Sequence, residues 1–313
     1  MIQIDGSPFA WLEERGPSCS LLGAVDDATT EILALHFRPA EDVHGYMTLF
    51  RDVFTHHGLP LAVYGDRLNI LVRNDPHWSL EEQLAGTQFP THIGRLLQAL
   101  GVGYIAAHSP QAQGRIERLW ETLQDRLVSE LRLRRIATVE AAQAYLPTFI
   151  ADYNRRFGKP PATAAAVWRR PPPDLPLLLG CRYHRHVARD NTVQVGPRWV
   201  QLRGRRSYAG VRVEVRELLD GRLLALHDGV IRGTTPALGG PFILKPRRAP
   251  SADRRPLRLR GARRLPQRLP RLAANTHTGR KPLPTHPWVI AKDRECRRRE
   301  HRHGVTLSRS SEG

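Results

Sequence analysis

Three acidic residues lie where their side chains could act together on a phosphodiester. Asp5 follows Ile2-Gln3-Ile4 in a mainly apolar strand pattern, Asp66 follows the apolar residues 61–65, and Glu117 lies near the start of an expected helix. Carboxylate oxygens are the hard ligands that Mg²⁺ and Mn²⁺ prefer. A pair of such ions activates the attacking oxygen and stabilises the leaving oxygen in phosphoryl transfer. Two aspartates at strand ends and one helical glutamate can converge into a cage of this kind.

The elements that must position these residues follow from the hydrophobic pattern. Short apolar runs bounded by Gly and Asp predict buried strands, and longer periodic runs ending at Gly or Pro predict helices. Strands are expected at 21–25, 32–37, 61–65 and 102–106, and helices at 42–57 and 91–100. Strands joined by helical crossovers predict a mixed α/β sheet covered by helices.

The helix that carries Glu117 has the clearest pattern. Apolar residues recur at steps of three and four, which predicts a stripe facing the core. Glu117 lies beside this stripe and near the positive end of the helix dipole. The stripe consists of Ile116, Leu119, Trp120, Leu123, Leu127 and Leu131.

Four short motifs resemble the integrase-type catalytic core, of ribonuclease H-like fold, of bacterial insertion-sequence transposases. The motifs are Ile4-Asp5-Gly6-Ser7-Pro8 with Trp11, residues 23–29, Tyr64-Gly65-Asp66-Arg67, and residues 109–120. The likeness runs from about residue 2 to residue 168. It implies that Asp5, Asp66 and Glu117 are the catalytic and metal-binding triad, with Mg²⁺ or Mn²⁺, two ions in all, as cofactor.

Two features depart from the pattern of the resembled family. The interval between Asp66 and Glu117 holds 50 residues, longer than is usual in retroviral integrases, and residues 74–90 are interpreted as an inserted loop. Leu68 stands where related transposases often carry His.

Other charged residues near the motifs have two interpretations each. Asp26 and Asp27 also end a strand, but the family pattern places the first catalytic aspartate before Gly-Ser, so they are interpreted as turn residues. Arg67, Arg115 and Arg118 flank the acidic residues. They are predicted to contact DNA phosphates, and the alternative is that they balance nearby carboxylates.

The positions of prolines and glycines and the distribution of charge divide the chain into four parts. The predicted catalytic core covers 1–170, a Pro-rich extended linker covers 171–180, a small all-β barrel covers 181–244, and a disordered basic tail covers 245–313. Residues 1–180 carry 17 Lys+Arg and 20 Asp+Glu, a balance of −3, whereas residues 181–313 carry 31 and 10, a balance of +21. A near-neutral body followed by a strongly basic half predicts a nucleic-acid partner.

Several other kinds of protein are excluded or disfavoured. No apolar run is long enough for a transmembrane helix, and the N-terminus does not resemble a signal peptide. Cys19, Cys181 and Cys296 form no paired motif, and the pairs His56-His57 and His184/His186 lack a second ligand pair for zinc. A cytoplasmic, nucleoid-associated protein is expected.

The resemblance implies a DDE transposase or integrase that cleaves DNA at transposon ends and transfers the strands to target DNA, as a homo-multimer. Two alternatives remain open: a ribonuclease H-type nuclease, and an inactive nucleic-acid-binding remnant of a mobile element. The second is favoured by the start of the sequence at the first catalytic strand, which leaves no room for the helix-turn-helix domain that related transposases carry upstream.

Overall fold

The structure is a computed structural model that describes residues 1–73, 76–107, 114–163, 167–204 and 206–243. The basic tail predicted for 245–313 lies outside the described residues. So do residues 108–113, which directly precede the helix of Glu117.

A five-stranded mixed sheet forms the centre of the N-terminal half. Its first three strands are antiparallel neighbours, whereas the last two run parallel to the first strand, in the order β3-β2-β1-β4-β5. This arrangement confirms the predicted mixed α/β sheet. The strands are β1 (Ile2–Phe9), β2 (Cys19–Asp26), β3 (Ile32–Arg38), β4 (Ala62–Gly65) and β5 (Gly103–Ala106).

Six α-helices are present in the described part of the chain. Four of them begin at residues whose side-chain oxygen accepts a backbone N–H of the first turn: Asp42, Ser79, Thr91 and Thr138. Such caps satisfy donors that have no partner within the helix. The helices are α1 (Val43–His56), α2 (Leu80–Ala85), α3 (His92–Ala99), α4 (Gly114–Leu133), α5 (Val139–Phe157) and α6 (Leu175–Leu178).

The two faces of the sheet support two separate cores. Ile2 and Ile4 of β1 belong to a buried cluster with the apolar residues of α1 and α3. Trp11 and Trp120 belong to a second cluster with those of α4 and α5. Because successive side chains of a strand point to opposite faces, β2 contributes Leu22 and Ala24 to the first cluster and Leu21 and Val25 to the second.

Two segments differ from their predicted form. The inserted segment 74–90 contains α2, whose N-terminus is closed by a reciprocal capping box between Ser79 and Glu82. The Pro-rich linker 171–180 contains α6, and Leu175 and Leu179 bury their side chains in the cluster of α1 and α3. The leucines explain the second difference, because burying them stabilises a short turn that the prolines alone do not predict.

The segment after α6 forms a small all-β domain. The strands β6 (Gly180–His186), β9 (Arg212–Leu218), β10 (Leu223–His227) and β11 (Val230–Thr234) form one antiparallel sheet, and β7 (Thr192–Val195) pairs with β8 (Arg198–Gln201) in a hairpin. Both sheets contribute to a single apolar cluster. The backbone N–H of Arg203 donates to the carbonyl of Arg232 at 2.7 Å and joins the two sheets. The predicted barrel is therefore seen as two sheets around one core.

A hairpin turn at Asp220-Gly221 joins β9 to β10. Gly221 has a φ of +81°, in the left-handed region that this tight turn requires. Tyr208 is buried in the core of this domain, whereas Trp199 is exposed. Within the described ranges, no helix has the length and apolarity needed to cross a membrane.

Candidate active site

Asp5 lies inside a strand rather than at its end. β1 continues to Phe9 because it keeps pairing with β2, in which Gly23 is the partner of Asp5. Residues 2–4 alone did not reveal this continuation, since Gly6 and Pro8 resemble a turn in the sequence. Asp5 therefore lies in the middle of β1, with strand residues before and after it.

Asp66 directly follows β4 and comes next to Asp5. The parallel pairing of β1 with β4 matches Ile2 with Val63 and Gln3 with Tyr64. Continued by two residues, the same register places Asp66 abreast of Asp5. The pairing of these two strands therefore brings together two aspartates that lie 61 positions apart in the sequence.

The turn at Asp66 is held by two hydrogen bonds. The backbone N–H of Leu68 donates to Asp66 Oδ1 at 3.0 Å, and Tyr104 Oη donates to the Asp66 carbonyl at 2.6 Å. The first of these bonds fixes the side chain and the second fixes the backbone. Leu68 therefore contributes to the site through its amide, a group that any residue except proline has.

Asp5 is in an environment that opposes its ionisation. Burial raises the pKa of Asp5 to about 6, against hydrogen bonds from the Trp120 indole and the Gly6 backbone that lower it. The Asp66 and Glu41 carboxylates raise this pKa further. No cationic side chain forms an ion pair with Asp5 or Asp66 among the described residues. A divalent cation would supply the missing positive charge.

Glu41 is a third carboxylate at this edge of the sheet that the sequence did not reveal. Its carboxylate packs against Gly6, where an added Cβ would lie 2.6 Å from Glu41 Oε1. Burial raises the pKa of Glu41, and Asp66 raises it further. In the sequence, Glu41 looks like an ordinary residue before a helix cap, so only the close approach of Gly6 identifies it.

Tyr46 provides a neutral donor to this acidic group. Its Oη donates to Glu41 Oε2 at 2.8 Å, and its ring is buried. Burial raises the pKa of Tyr46, and the carboxylates of Glu41, Asp5 and Asp66 raise it further. The phenol therefore stays protonated and keeps donating to Glu41.

Glu117 lies in the first turn of α4 with an exposed side chain. One turn later, Trp120 Nε1 donates to Asp5 Oδ2 at 2.9 Å, so the helix of Glu117 is attached to the strand of Asp5. Over the ranges that the structure describes, no three acidic, His or Cys side chains lie close enough together to hold a metal ion. The structure thus brings Asp5 and Asp66 together and leaves Glu117 on the surface of the adjoining helix.

The three arginines predicted to contact phosphates differ in their surroundings. Arg115 forms an ion pair with Asp27 at 3.1 Å, and Arg118 Nε donates to the Gly114 carbonyl at 2.7 Å. Arg67 is exposed beside Asp66. Arg115 thus balances a local carboxylate, as in the alternative interpretation, and all three side chains are at least partly open to solvent.

The neighbouring acidic pair occupies the turn that the sequence predicted. Asp26 Oδ1 accepts the backbone N–H of Ala28, the usual bond of an aspartate in a turn. Asp27 accepts Gln3 Nε2 at 2.8 Å, in addition to its ion pair with Arg115. Both carboxylates are therefore engaged away from Asp66.

Comparison with known proteins identifies relatives over much of the chain. It is 34% identical over 229 residues to the protein named "Putative transposase y4bF" of Sinorhizobium fredii (strain NBRC 101917 / NGR234), an overlap of 71% of this chain and 49% of that protein. It is 35% identical over 159 residues to the transposase for insertion sequence IS1202 of Streptococcus pneumoniae, covering 50% of this chain and 33% of that protein. The chain is therefore related to bacterial insertion-sequence transposases, and it spans about half the length or less of these two relatives.

A similar solved structure is the cryo-EM structure of the simian T-cell lymphotropic virus intasome in complex with PP2A regulatory subunit B56 gamma. It is 14% identical in sequence, covers 76% of this chain and 78% of that chain, and has a TM-score of 0.36. No family model matches the chain.

Proposed function

We propose that this relative of bacterial transposases catalyses metal-dependent cleavage and transfer of DNA strands, on a ribonuclease H-like core. Water would break a phosphodiester bond at a transposon end and release a 3′-hydroxyl. That hydroxyl would then attack a phosphorus atom of target DNA and displace the 3′-oxygen of the target nucleotide bonded to that phosphorus. Both steps are phosphoryl transfers between oxygens, so no side chain needs to form a covalent intermediate.

The observation that carries the proposal is the side-by-side placement of Asp5 and Asp66. One carboxylate is in a central strand, and the other follows the parallel neighbour of that strand. Placing two like charges together is unfavourable unless a cation offsets their repulsion. The relation to transposases supports the same chemistry independently.

The donor set fits Mg²⁺ or Mn²⁺, because these ions prefer carboxylate oxygen. Asp5, Asp66 and Glu117 are the residues that would hold the metal, proposed as two ions. When bound, the ions would activate the attacking oxygen and stabilise the leaving one. Glu117 is included because it lies one turn before Trp120, the residue by which α4 contacts Asp5.

DNA is the proposed substrate and partner, and binding as a homo-multimer to transposon ends and target is part of the proposal. Arg67, Arg115 and Arg118 are the side chains proposed to contact phosphates around the acidic group. The small all-β domain, residues 181–244, carries 11 Lys+Arg and 5 Asp+Glu, and residues 245–313 carry 20 and 5. Phosphate contacts of this kind give affinity without reading the base sequence.

A strand-transfer assay with oligonucleotides that mimic transposon ends tests the proposal. We expect Mn²⁺-dependent products from the full chain, and a loss of roughly 1,000-fold for Asp66→Asn, because removing a charged ligand forfeits several kcal/mol of transition-state stabilisation. Asp125→Asn is the matched control, since Asp125 is exposed on α4 away from the motifs. Cleavage by Asp66→Asn within a few-fold of the unmodified chain would exclude the assigned site.

The same assay separates the two alternatives. Cleavage without joining would identify a ribonuclease H-type nuclease. The exposed position of Glu117 is the observation that favours a nucleic-acid-binding protein without catalysis. A folded protein that binds DNA and yields neither cleaved nor joined strands would establish that function instead.

A further inference from the structure

We propose that Trp120 is the positioning residue of Asp5, holding that carboxylate in the orientation in which it binds a divalent cation. The inference rests on the proposed function and adds a residue to the site. It starts from one contact: Trp120 Nε1 donates to Asp5 Oδ2 at 2.9 Å.

The indole has little freedom to leave this position. Trp120 is 6% exposed and lies edge-to-face against Trp11, with ring centroids 6.3 Å apart. Trp11 is itself completely buried and donates its own N–H to the Ser7 carbonyl at 3.0 Å. Packing on this side therefore fixes the indole, and the indole fixes Asp5.

The strand beside Asp5 leaves room for the indole ring. Gly23 is the β2 partner of Asp5. A Cβ added to Gly23 would lie 2.7 Å from Trp120 Cη2 and 3.3 Å from Trp120 Cζ2, both rigid ring atoms. Glycine at this position is what lets the ring lie across β2 and reach the carboxylate.

The register between α4 and β1 sets the height of the indole along the strand. Above and below the Trp120 bond, Ile116 N donates to Gln3 Oε1 at 3.3 Å and Gln124 Nε2 donates to Ser7 Oγ at 3.3 Å. Four helical residues rise about 6 Å and two strand residues about 6.6 Å. Every fourth residue of α4 therefore lies beside every second residue of β1, and Trp120 lies beside Asp5.

Such a donor suits a carboxylate that binds a cation. The indole N–H is neutral and has no acceptor lone pair, so it can occupy one carboxylate oxygen without competing as a counter-charge. Groups that orient metal ligands typically change metal affinity by about 10- to 100-fold when removed. A purely structural tryptophan would change stability and leave the affinity for the cation unchanged.

The experiment is a Mn²⁺ titration of the full-length chain, with free Mn²⁺ measured by electron paramagnetic resonance. The variant is Trp120→Phe, which keeps an aromatic ring and removes the N–H. The matched control is Trp168→Phe, which changes a half-buried indole that packs against the other core and beside His57. We expect the dissociation constant for Mn²⁺ to rise about 10-fold or more in Trp120→Phe, and by less than about 3-fold in Trp168→Phe.

Unchanged Mn²⁺ affinity in Trp120→Phe, or equal weakening in both variants, would overturn the inference. If Trp120→Phe does not fold, as judged by circular dichroism, Gly23→Ala decides the question. That variant keeps the indole but displaces it, so weaker Mn²⁺ binding supports the inference and unchanged binding overturns it. Asp5→Asn and Asp66→Asn report separately on the proposed function: if they bind Mn²⁺ as the unmodified chain does, the cation site itself is wrong.

Discussion

Asp5 and Glu117 belong to the same proposed site but are held in opposite ways. Asp5 lies within a central strand, accepts a hydrogen bond from the Trp120 indole, and is half-buried. Glu117 is exposed in the first turn of a helix whose preceding residues, 108–113, lie outside the description. Asp5 and Asp66 thus lie together in the cation-free protein, whereas under the proposed function Glu117 would join them once cation and DNA are bound.

The substitution Glu117→Gln is expected to have the largest effect of the three considered, and that effect is on strand cleavage. If Glu117 joins the site only in the loaded state, this change should lower strand cleavage by roughly 100-fold or more. The free energy of unfolding should change by less than about 1 kcal/mol, because the side chain is exposed and contributes mainly through the helix dipole.

Cleavage assays and urea unfolding of Glu117→Gln and Glu121→Gln test this separation. Glu121 is exposed one turn further along the same helix and serves as the control. Full activity of Glu117→Gln would restrict the acidic site to Asp5 and Asp66, and equal loss in both variants would point to the helix surface as a whole.

A smaller effect is expected on the stability of the cation-free protein, from Asp5→Asn. Because burial, Asp66 and Glu41 raise the pKa of Asp5 from 3.8 to about 6, the folded state binds its proton more tightly than the unfolded state. This group therefore contributes most stability below about pH 4 and loses that contribution as the pH rises through about 6. At pH 7.5 Asp5→Asn should be more stable than the unmodified chain by about 1–3 kcal/mol.

Urea unfolding in the presence of a chelator, from pH 4 to 8, measures this difference, with Asp125→Asn as the control. Excess Mn²⁺ should stabilise the unmodified chain and not Asp5→Asn, since ligands that bind only the folded state raise its stability. A difference between the two chains that stays constant from pH 4 to 8 would contradict the pKa assigned to Asp5.

The smallest effect is expected from Glu41→Gln. The amide can still accept the Tyr46 hydrogen bond but no longer repels Asp5 and Asp66. Since Glu41 is the least of the influences on Asp5, the pKa of Asp5 should fall only slightly, and cation-free stability at neutral pH should rise by a few tenths of a kcal/mol, up to about 1. Carboxyl carbon NMR of Asp5 follows that pKa directly, with the exposed Glu140→Gln as control. If the pKa of Asp5 instead rises in Glu41→Gln, the influence of Glu41 on Asp5 comes from its hydrogen bond with Tyr46 and not from its negative charge.

Much of the fold could be predicted from residue patterns alone. The helix of Glu117 follows from apolar residues at steps of three and four, and the turn at Asp26 follows from adjacent aspartates between two apolar runs. Patterns failed where a local signal had two meanings. Asp5 was expected at the end of a strand but lies inside β1, which runs on through Gly6 and Pro8, and the prolines of 171–180 concealed the buried turn of α6.

The sequence by itself determined which chemistry is available: carboxylates at Asp5, Asp66 and Glu117, strands and helices to carry them, and a basic C-terminal half. These properties are local, because residue type and hydrophobic period act over a few positions. Only the tertiary structure decided which groups meet. The parallel pairing of β1 with β4 joins Asp5 to Asp66, and the packing of α4 across Gly23 brings the Trp120 indole to Asp5. The close approach of Glu41 to Gly6 was decided in the same way, since contacts between distant segments depend on how whole elements pack.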